Sequence, residues 1–244
     1  MHRFYADEAG LTGDTARLAA EDARHAFRVL RMRPGDTLEL YAGESRYAAE
    51  IEQIDENGAV CRVTGQLPST EAQLRVTLYQ GLPKADKMEL IVQKAVELGA
   101  ARIVPVAMSR CVVQLSPKDG AKKQERWQKI AREATKQSAR CILPPVEAPI
   151  TMKQLLARLR EHEAAIVPWE DARGYSLNAF RQEHPGVRDV AVVIGPEGGM
   201  SPEEIAAMQA SGCRAVTLGP RILRTETAGL AAISALMCLW GDMA

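Results

Sequence analysis

From Leu74 onward, short apolar runs that end in glycine or proline alternate with amphipathic stretches, and this alternation constrains the fold more than any other feature. "LRVTLYQG", "ARIVPV", "AAIVPW", "DVAVVIG" and "RAVTLG" have strand length and are apolar almost throughout, as strands covered on both faces are. "KMELIVQKAVELG" instead has a helical period and closes on Gly99, and a long helix is expected from Lys122 to about Arg140. Strands alternating with helices make an α/β domain with a largely parallel sheet.

The first ~65 residues have a different texture, with shorter runs alternating at period two and turn signals between them. Pro34-Gly35 in "RPGD" suits a type II turn, and "ENG" at Glu56–Gly58 reads as a hairpin turn. "AEDARHAFRVLRMR" reads as a short helix and its exit. A small β-barrel or sandwich is expected over residues 1–70, ending at a linker "GQLPST", with the α/β domain over 71–244. The chain's 244 residues suffice for two such domains.

Charge and cysteine usage exclude several classes. With 31 basic and 31 acidic residues the net charge is zero, so attraction to nucleic acid has to be local. The N-terminus lacks the apolar core of a signal peptide, and the run Ala228–Trp240 is too short to span a bilayer. Five scattered cysteines without a CxxC pair fit reduced thiols and a cytoplasmic setting. No HExxH is present, and no metal is expected.

Ligands of open α/β sheets bind outside the carboxyl ends of the strands. Three loops in this chain qualify: Gly195-Pro196-Glu197-Gly198-Gly199 after "VAVVI", Gly219-Pro220 after "AVTL", and Pro168 after "AAIV". The first leads into a helix whose start is marked by Ser201, Pro202 and Glu204. It has neither a Walker lysine nor GxGxxG, and Glu197 opposes a pyrophosphate, so a phosphate-free or cationic ligand suits it better. Arg224 and Glu226 form a charged pair at the mouth of an apolar helix, either as site residues or as a helix cap and loop anchor.

Two basic clusters stand out. Lys122, Arg126, Lys129, Arg132, Lys136 and Arg140 recur at three- and four-residue steps, with Trp127, Ile130, Ala131 and Ala134 as the buried stripe. Arg24, Arg28, Arg31 and Arg33 form the second, with His25 among them and Arg3, Phe4 and Tyr5 nearby. Each is either a solvated face or a surface that follows RNA phosphates.

"VVIGPEGGMSPEE" followed by "VTLGPRILRTETAGLAAISAL", together with "HAFRVLRMRPGD", "QGLPKADKMELIVQKAVELGAARIVP", "RWQKIAREATKQSAR" and "MHRFY", resembles the RsmE-type small-subunit (16S) ribosomal RNA uridine-N3 methyltransferases of the SPOUT superfamily. The resemblance covers essentially the whole chain, with Met200 departing from the aromatic residue expected after GPEGG and "PWEDA" from the usual loop. It implies an N-terminal PUA-like β-barrel that binds RNA, and a trefoil-knotted SPOUT α/β domain that binds S-adenosylmethionine and pairs as a homodimer. Carried onto this chain, the cofactor-binding positions are Val167 and Pro168, then Ile194, Gly195, Pro196, Glu197, Gly198 and Gly199. Leu218, Gly219, Ile222 and Leu223 complete them. The reaction that the resemblance implies gives Glu226 the role of base or orienter, and Arg224 that of stabilising charge on the uracil. Arg3, Arg24, Arg28, Arg31, Arg110, Arg126, Gln137 and Arg140 are the expected RNA contacts. A nucleotide-dependent enzyme and a non-catalytic RNA-binding factor are the competing readings; the first lacks a phosphate-cradling loop, and intact GPEGG and LGPRILR loops argue against the second.

Overall fold

The computed structural model describes residues 2–56, 58–172 and 174–243. Two compact units divide the chain, one made of Met1–Glu71 with Thr135–Leu143 and the other of Ala72–Ala134 with Pro144–Ala244.

The first unit is a closed five-stranded barrel of β1 (His2–Thr12), β2 (Thr15–Leu18), β3 (Thr37–Ala42), β4 (Ser45–Ile54) and β5 (Ala59–Leu67), in the order β1-β2-β5-β4-β3. Parallel pairing of β1 with β3, Phe4 opposite Leu40, closes it and removes both sheet edges. Phe4, Leu18, Leu38, Leu40, Ile51 and Cys61 fill the interior. Asp36 N donates to Arg33 O at 3.1 Å, and Gly35 has φ +92°, so the "RPGD" turn is of type II. The expected hairpin turn at Glu56–Gly58 includes Asn57, which lies outside the described residues. Gly65–Leu67, read as linker, is instead the end of β5.

The expected single helix after β2 is α1 (Ala20–Arg24) followed directly by a π-helical turn, His25–Val29. Asp22 of α1 is buried and accepts Tyr5 N at 3.0 Å, and Lys136 Nζ pairs with its other oxygen at 2.7 Å. Arg140 Nη2 lies 2.6 Å from Glu71 Oε2, while Glu71 Oε1 accepts the backbone N–H groups of Cys141 and Ile142. These bonds tie Thr135–Leu143 to the barrel.

The second unit carries six parallel strands in the order β11-β9-β10-β6-β7-β8. They are β6 (Arg75–Gly81), β7 (Arg102–Ala107), β8 (Ile150–Thr151), β9 (Ala164–Pro168), β10 (Asp189–Ile194) and β11 (Cys213–Val216). The helices of the chain after β6 are α2 (Lys87–Glu97), α3 (Pro117–Ser138, whose last residues from Thr135 on belong to the first unit), α4 (Met152–Leu159), α5 (Leu177–Glu183), α6 (Pro202–Ala210) and α7 (Thr225–Trp240). Helix α3 starts a turn earlier than the basic periodicity suggests, because Pro117 takes the first helical position and Ser116 Oγ accepts Asp119 N at 3.2 Å.

The chain runs from β6 outward through β7 and β8, then crosses to the other side of β6 for β9, β10 and β11. The order therefore reverses between β6 and β10. At such a switch point the loops leaving the carboxyl ends diverge and open a crevice. The same ends carry the Gly-Pro loops.

Candidate active site

Gly81 at the end of β6 and Gly195-Pro196 at the end of β10 meet backbone to backbone. A Cβ on Gly81 would fall 2.7 Å from Pro196 Cδ and 3.0 Å from Gly195 C, so only glycine permits the approach. The loop then turns tightly, with Gly199 N donating to Pro196 O at 2.9 Å and Gly199 at φ +71°. Gly198 lies against Arg110, whose Cβ and carbonyl would each be 3.0 Å from a side chain at that position. Arg110 Nη1 also donates to Gly198 O at 3.3 Å.

Helix α6 begins where this loop ends. Glu204 N donates to Ser201 Oγ, and Glu204 Oε2 accepts Ser201 N, so the capping box read from the sequence is present. Glu204 Oε1 accepts Ser109 N at 2.8 Å as well. A helix N-terminus is the usual seat of a phosphate. Here the helix's own carboxylate fills it.

The start of α7 is anchored to the same loop by a relay. Gln80 Nε2 donates to Thr225 Oγ1 at 2.8 Å, and the Thr225 hydroxyl donates to Gly195 O at 2.6 Å. Gln80 is fully buried at the end of β6, so the relay stitches β6, β10 and α7 together.

A cleft of about 430 Å³ opens outside these strand ends, lined by Lys87, Pro168, Glu170, Ile194 to Met200, Ile222 to Thr225 and Ala228. It continues into a smaller recess of about 70 Å³ bounded by Trp169, Leu218, Gly219 and Arg221. The expected cofactor positions thus line the cleft or its recess, with the exception of Val167, whose side chain is enclosed in the core of the sheet. Arg224 faces the cleft. Glu226 does not line it, and its Oε2 is enclosed behind Lys87.

Lys87 is the group the sequence did not single out. Its Nζ lies 3.1 Å from Glu197 Oε1 and 3.1 Å from Glu226 Oε2, bridging the glycine-rich loop to the first turn of α7. The two carboxylates, Glu226 foremost, raise the lysine above its ordinary pKa. Burial works to raise the carboxyl of Glu197, but backbone N–H donors, including Lys84 N at 3.1 Å, and Lys87 outweigh it and hold it below the usual carboxylate range. Glu226 is held low first by its own backbone N–H at the helix start and then by Lys87. All three groups are charged at neutral pH.

The expected RNA contacts fall into distinct settings. Arg24, Arg28 and Arg31 are exposed on the barrel, where the π turn also exposes Phe27 and Val29. Arg28 pairs with Glu56 at 2.6 Å and Arg3 with Glu39 at 3.7 Å, both at the surface, where such pairs are weak. Arg126 is paired with Glu89, and Gln137 is exposed. Arg140 corrects the expectation. It is 6 % exposed and its guanidinium is taken up by Glu71, so it is not available to hold a nucleotide. Helix α3 ends at Ser138 and Ala139 has φ +61°, which turns Arg140 off the basic face. Among the described residues no cluster of three or more His, Cys, Asp or Glu side chains is placed to hold a metal ion, and no helix is long and apolar enough to cross a membrane.

Comparison with known proteins matches residues 70–237 to the RNA methyltransferase domain and residues 18–64 to the RNA methyltransferase PUA domain. The ribosomal RNA small subunit methyltransferase E of Bacillus subtilis is 35% identical over 229 residues, covering 91% of this chain and 89% of its own. A crystal structure of the ribosomal RNA small subunit methyltransferase E from Neisseria gonorrhoeae bound to S-adenosyl methionine is 36% identical, with a TM-score of 0.86 and both chains fully covered. A methyltransferase from Legionella pneumophila in complex with the same cofactor is 34% identical, covers 98% of each chain and gives a TM-score of 0.82.

Proposed function

The chain belongs to the RNA methyltransferase family, among its small-subunit ribosomal RNA methyltransferases, and we propose that it moves a methyl group from S-adenosylmethionine to N3 of one uridine in 16S ribosomal RNA. The observation that carries this reading is the cleft at the carboxyl ends of β9, β10 and β11. Its wall is bare glycine backbone, its charged lip includes Glu170 and Glu197, and its neighbouring helix N-terminus is closed to phosphate by Glu204. A ligand with a sulfonium and no phosphate fits that donor set; a nucleoside di- or triphosphate does not.

Ile194 to Gly199, Pro168, and Leu218 to Leu223 would hold the cofactor, which supplies a methyl group on a positively charged sulfur. The protein's own task is to hold the target base flipped into the cleft and to favour loss of the N3 proton, passed to solvent, as the new bond forms. Arg224, on the cleft wall, is the group we assign to the negative charge that then spreads over the uracil. For Glu226, the enclosed Oε2 favours the orienting role over that of base.

Residues 1–70 are assigned to RNA binding, with Arg3, Arg24, Arg28 and Arg31 as contacts, and residues 71–244 to methyl transfer, with Arg110, Arg126 and Gln137 nearest the RNA. The homodimer and trefoil knot belong to the same proposal. Support for the dimer comes from α7, where Leu230, Ala231, Ala235 and Leu239 remain half-buried on an apolar helix.

The test uses small ribosomal subunits lacking the modification and isotopically labelled S-adenosylmethionine. N3-methyluridine in the digested RNA is the expected product; label on another atom, or none, overturns the reading. Charge reversal at Arg28 and Arg31 should weaken RNA binding and flatten its salt dependence, and unaltered binding would count against the barrel as the RNA platform.

A further inference from the structure

Lys87 occupies an improbable place for a cation. It is the first residue of α2, where the helix dipole disfavours positive charge. Two carboxylates from distant parts of the chain offset that cost, and they also fix the side chain. An ammonium has three N–H donors. Its nitrogen lies 3.1 Å from an oxygen of each carboxylate, with no hydrogen bond closed to Glu226 Oε2, and the residue lines the cleft, so at least one N–H is left for whatever binds there.

The charge of the trio narrows the acceptor. Two carboxylates and one ammonium sum to one negative charge. A phosphate or a ligand carboxylate would be repelled by that surplus, whereas a neutral carbonyl oxygen would not. Uracil carries a carbonyl on each side of N3. Cytosine replaces one of them with an amino group, which presents hydrogen to hydrogen against an ammonium.

We propose that Lys87, pinned by Glu197 and Glu226, donates a free N–H to the C4 carbonyl oxygen beside N3 of the target uracil, and so positions that base and selects it over cytosine, which keeps the C2 carbonyl but carries an amino group at C4. The inference rests on the uridine-N3 reading above. Lys87 touches the substrate and is in that sense catalytic; Glu197 and Glu226 act through it as positioning residues. The contact also favours the reaction, because negative charge grows on that oxygen as N3 loses its proton.

Three measurements on the full-length protein test it. Turnover on unmodified small subunits should fall about 100-fold in Lys87→Met and recover to within about tenfold of wild type in Lys87→Arg, which keeps a donor. Affinity for S-adenosylmethionine, by calorimetry, should stay within about threefold in both variants. In competition binding, an RNA with cytidine at the target position should lose to its uridine counterpart with wild type and compete evenly with Lys87→Met. Turnover of Lys87→Met within threefold of wild type overturns the proposal, as does a parallel loss of cofactor affinity or an unchanged preference for uridine. If Lys87→Met fails to fold, Glu226→Gln keeps the lysine but frees it, and should lower kcat about tenfold with KM for RNA raised; unchanged kinetics there also overturn it. Wild-type protein that forms no N3-methyluridine refutes the functional reading itself, a result separable from any of these because it precedes the variants.

Discussion

Two glycine-to-alanine substitutions at the same cleft should have opposite outcomes. At Gly81 the new methyl would meet Pro196 Cδ and Pro196 N at 2.7 Å and Gly195 C at 3.0 Å. Comfortable carbon contacts lie at roughly 3.5–4.0 Å, so the loop from Gly195 must retreat by about 1 Å. Overpacking of this kind costs roughly 1–3 kcal/mol, offset in part by the lower unfolded-state entropy of alanine, about 0.4–1 kcal/mol. At about 2–4 °C per kcal/mol for a chain of this size, Tm should fall by several degrees. The retreating segment is the cofactor wall, so affinity for S-adenosylmethionine should drop at least about tenfold as well, since misplacement by an ångström can cost far more. At Gly229, buried in α7, the three nearest atoms to an added methyl are all at 3.5 Å, an ordinary contact. Removing glycine from a helix interior is worth roughly 0.5–1 kcal/mol, so Gly229→Ala should raise Tm slightly and leave affinity alone. Thermal unfolding followed by circular dichroism and calorimetric titration with the cofactor decide the matter. A Gly81→Ala protein with wild-type Tm and affinity would refute the reasoning, and so would a Gly229→Ala protein damaged as badly.

Three further predictions concern the interior and the charged trio. Arg140→Met should destabilise the first unit by roughly 3–5 kcal/mol in denaturant unfolding, because it leaves the Glu71 carboxylate half of a buried pair. Tyr79→Phe removes the hydroxyl that bonds His162 Nε2 at 2.9 Å, and His162 in turn holds Asp189 at 3.0 Å; a loss of about 1 kcal/mol is expected, with cofactor affinity unchanged. Glu197 and Glu226 titrate below their ordinary 4.5, so their contribution to stability is present above that pH and lost as pH falls through the lower folded values. Lys87, raised above 10.5, contributes below that pH and fades only as pH rises beyond it. The stability difference between wild type and Lys87→Met should therefore be flat between about pH 5 and 10 and shrink below 4.5, as read from Tm against pH.

Where local chemistry decided a feature, the sequence was enough to find it. Ser201, Pro202 and Glu204 build a cap from four consecutive residues, and each Gly-Pro loop ends a strand whose apolar run is itself local. The segments overlooked also carried local signals: Thr151 with Gln154 forms a second capping box at α4, and Ser176 caps α5. Lys87 was different in kind, since its partners come from the β10–α6 loop and from α7, and nothing within "KMELIVQKAVELG" separates a bridged lysine from a solvated one. Arg140 misled for the complementary reason. Three- and four-residue spacing places it on the basic face only while the helix lasts, and the left-handed Ala139 ends the helix one step too soon.

The charges at the mouth of the apolar helix α7 follow from what three helix starts have in common. Helices α2, α6 and α7 each begin near the carboxyl ends of the strands, where their free N–H groups and dipoles attract negative charge. A nucleotide-binding sheet leaves such ends bare for phosphate. In this chain the protein's own carboxylates take the place: Glu204 fills the end of α6, Glu226 enters the first turn of α7, and Glu197 accepts Lys84 N at the approach to α2. Phosphate is thereby excluded without any steric block. Lys87, the cation held between two of these carboxylates, keeps a donor free toward the cleft. The same substitution of carboxylate for phosphate that suits the cleft to a sulfonium therefore also fixes the donor we assign to the uracil.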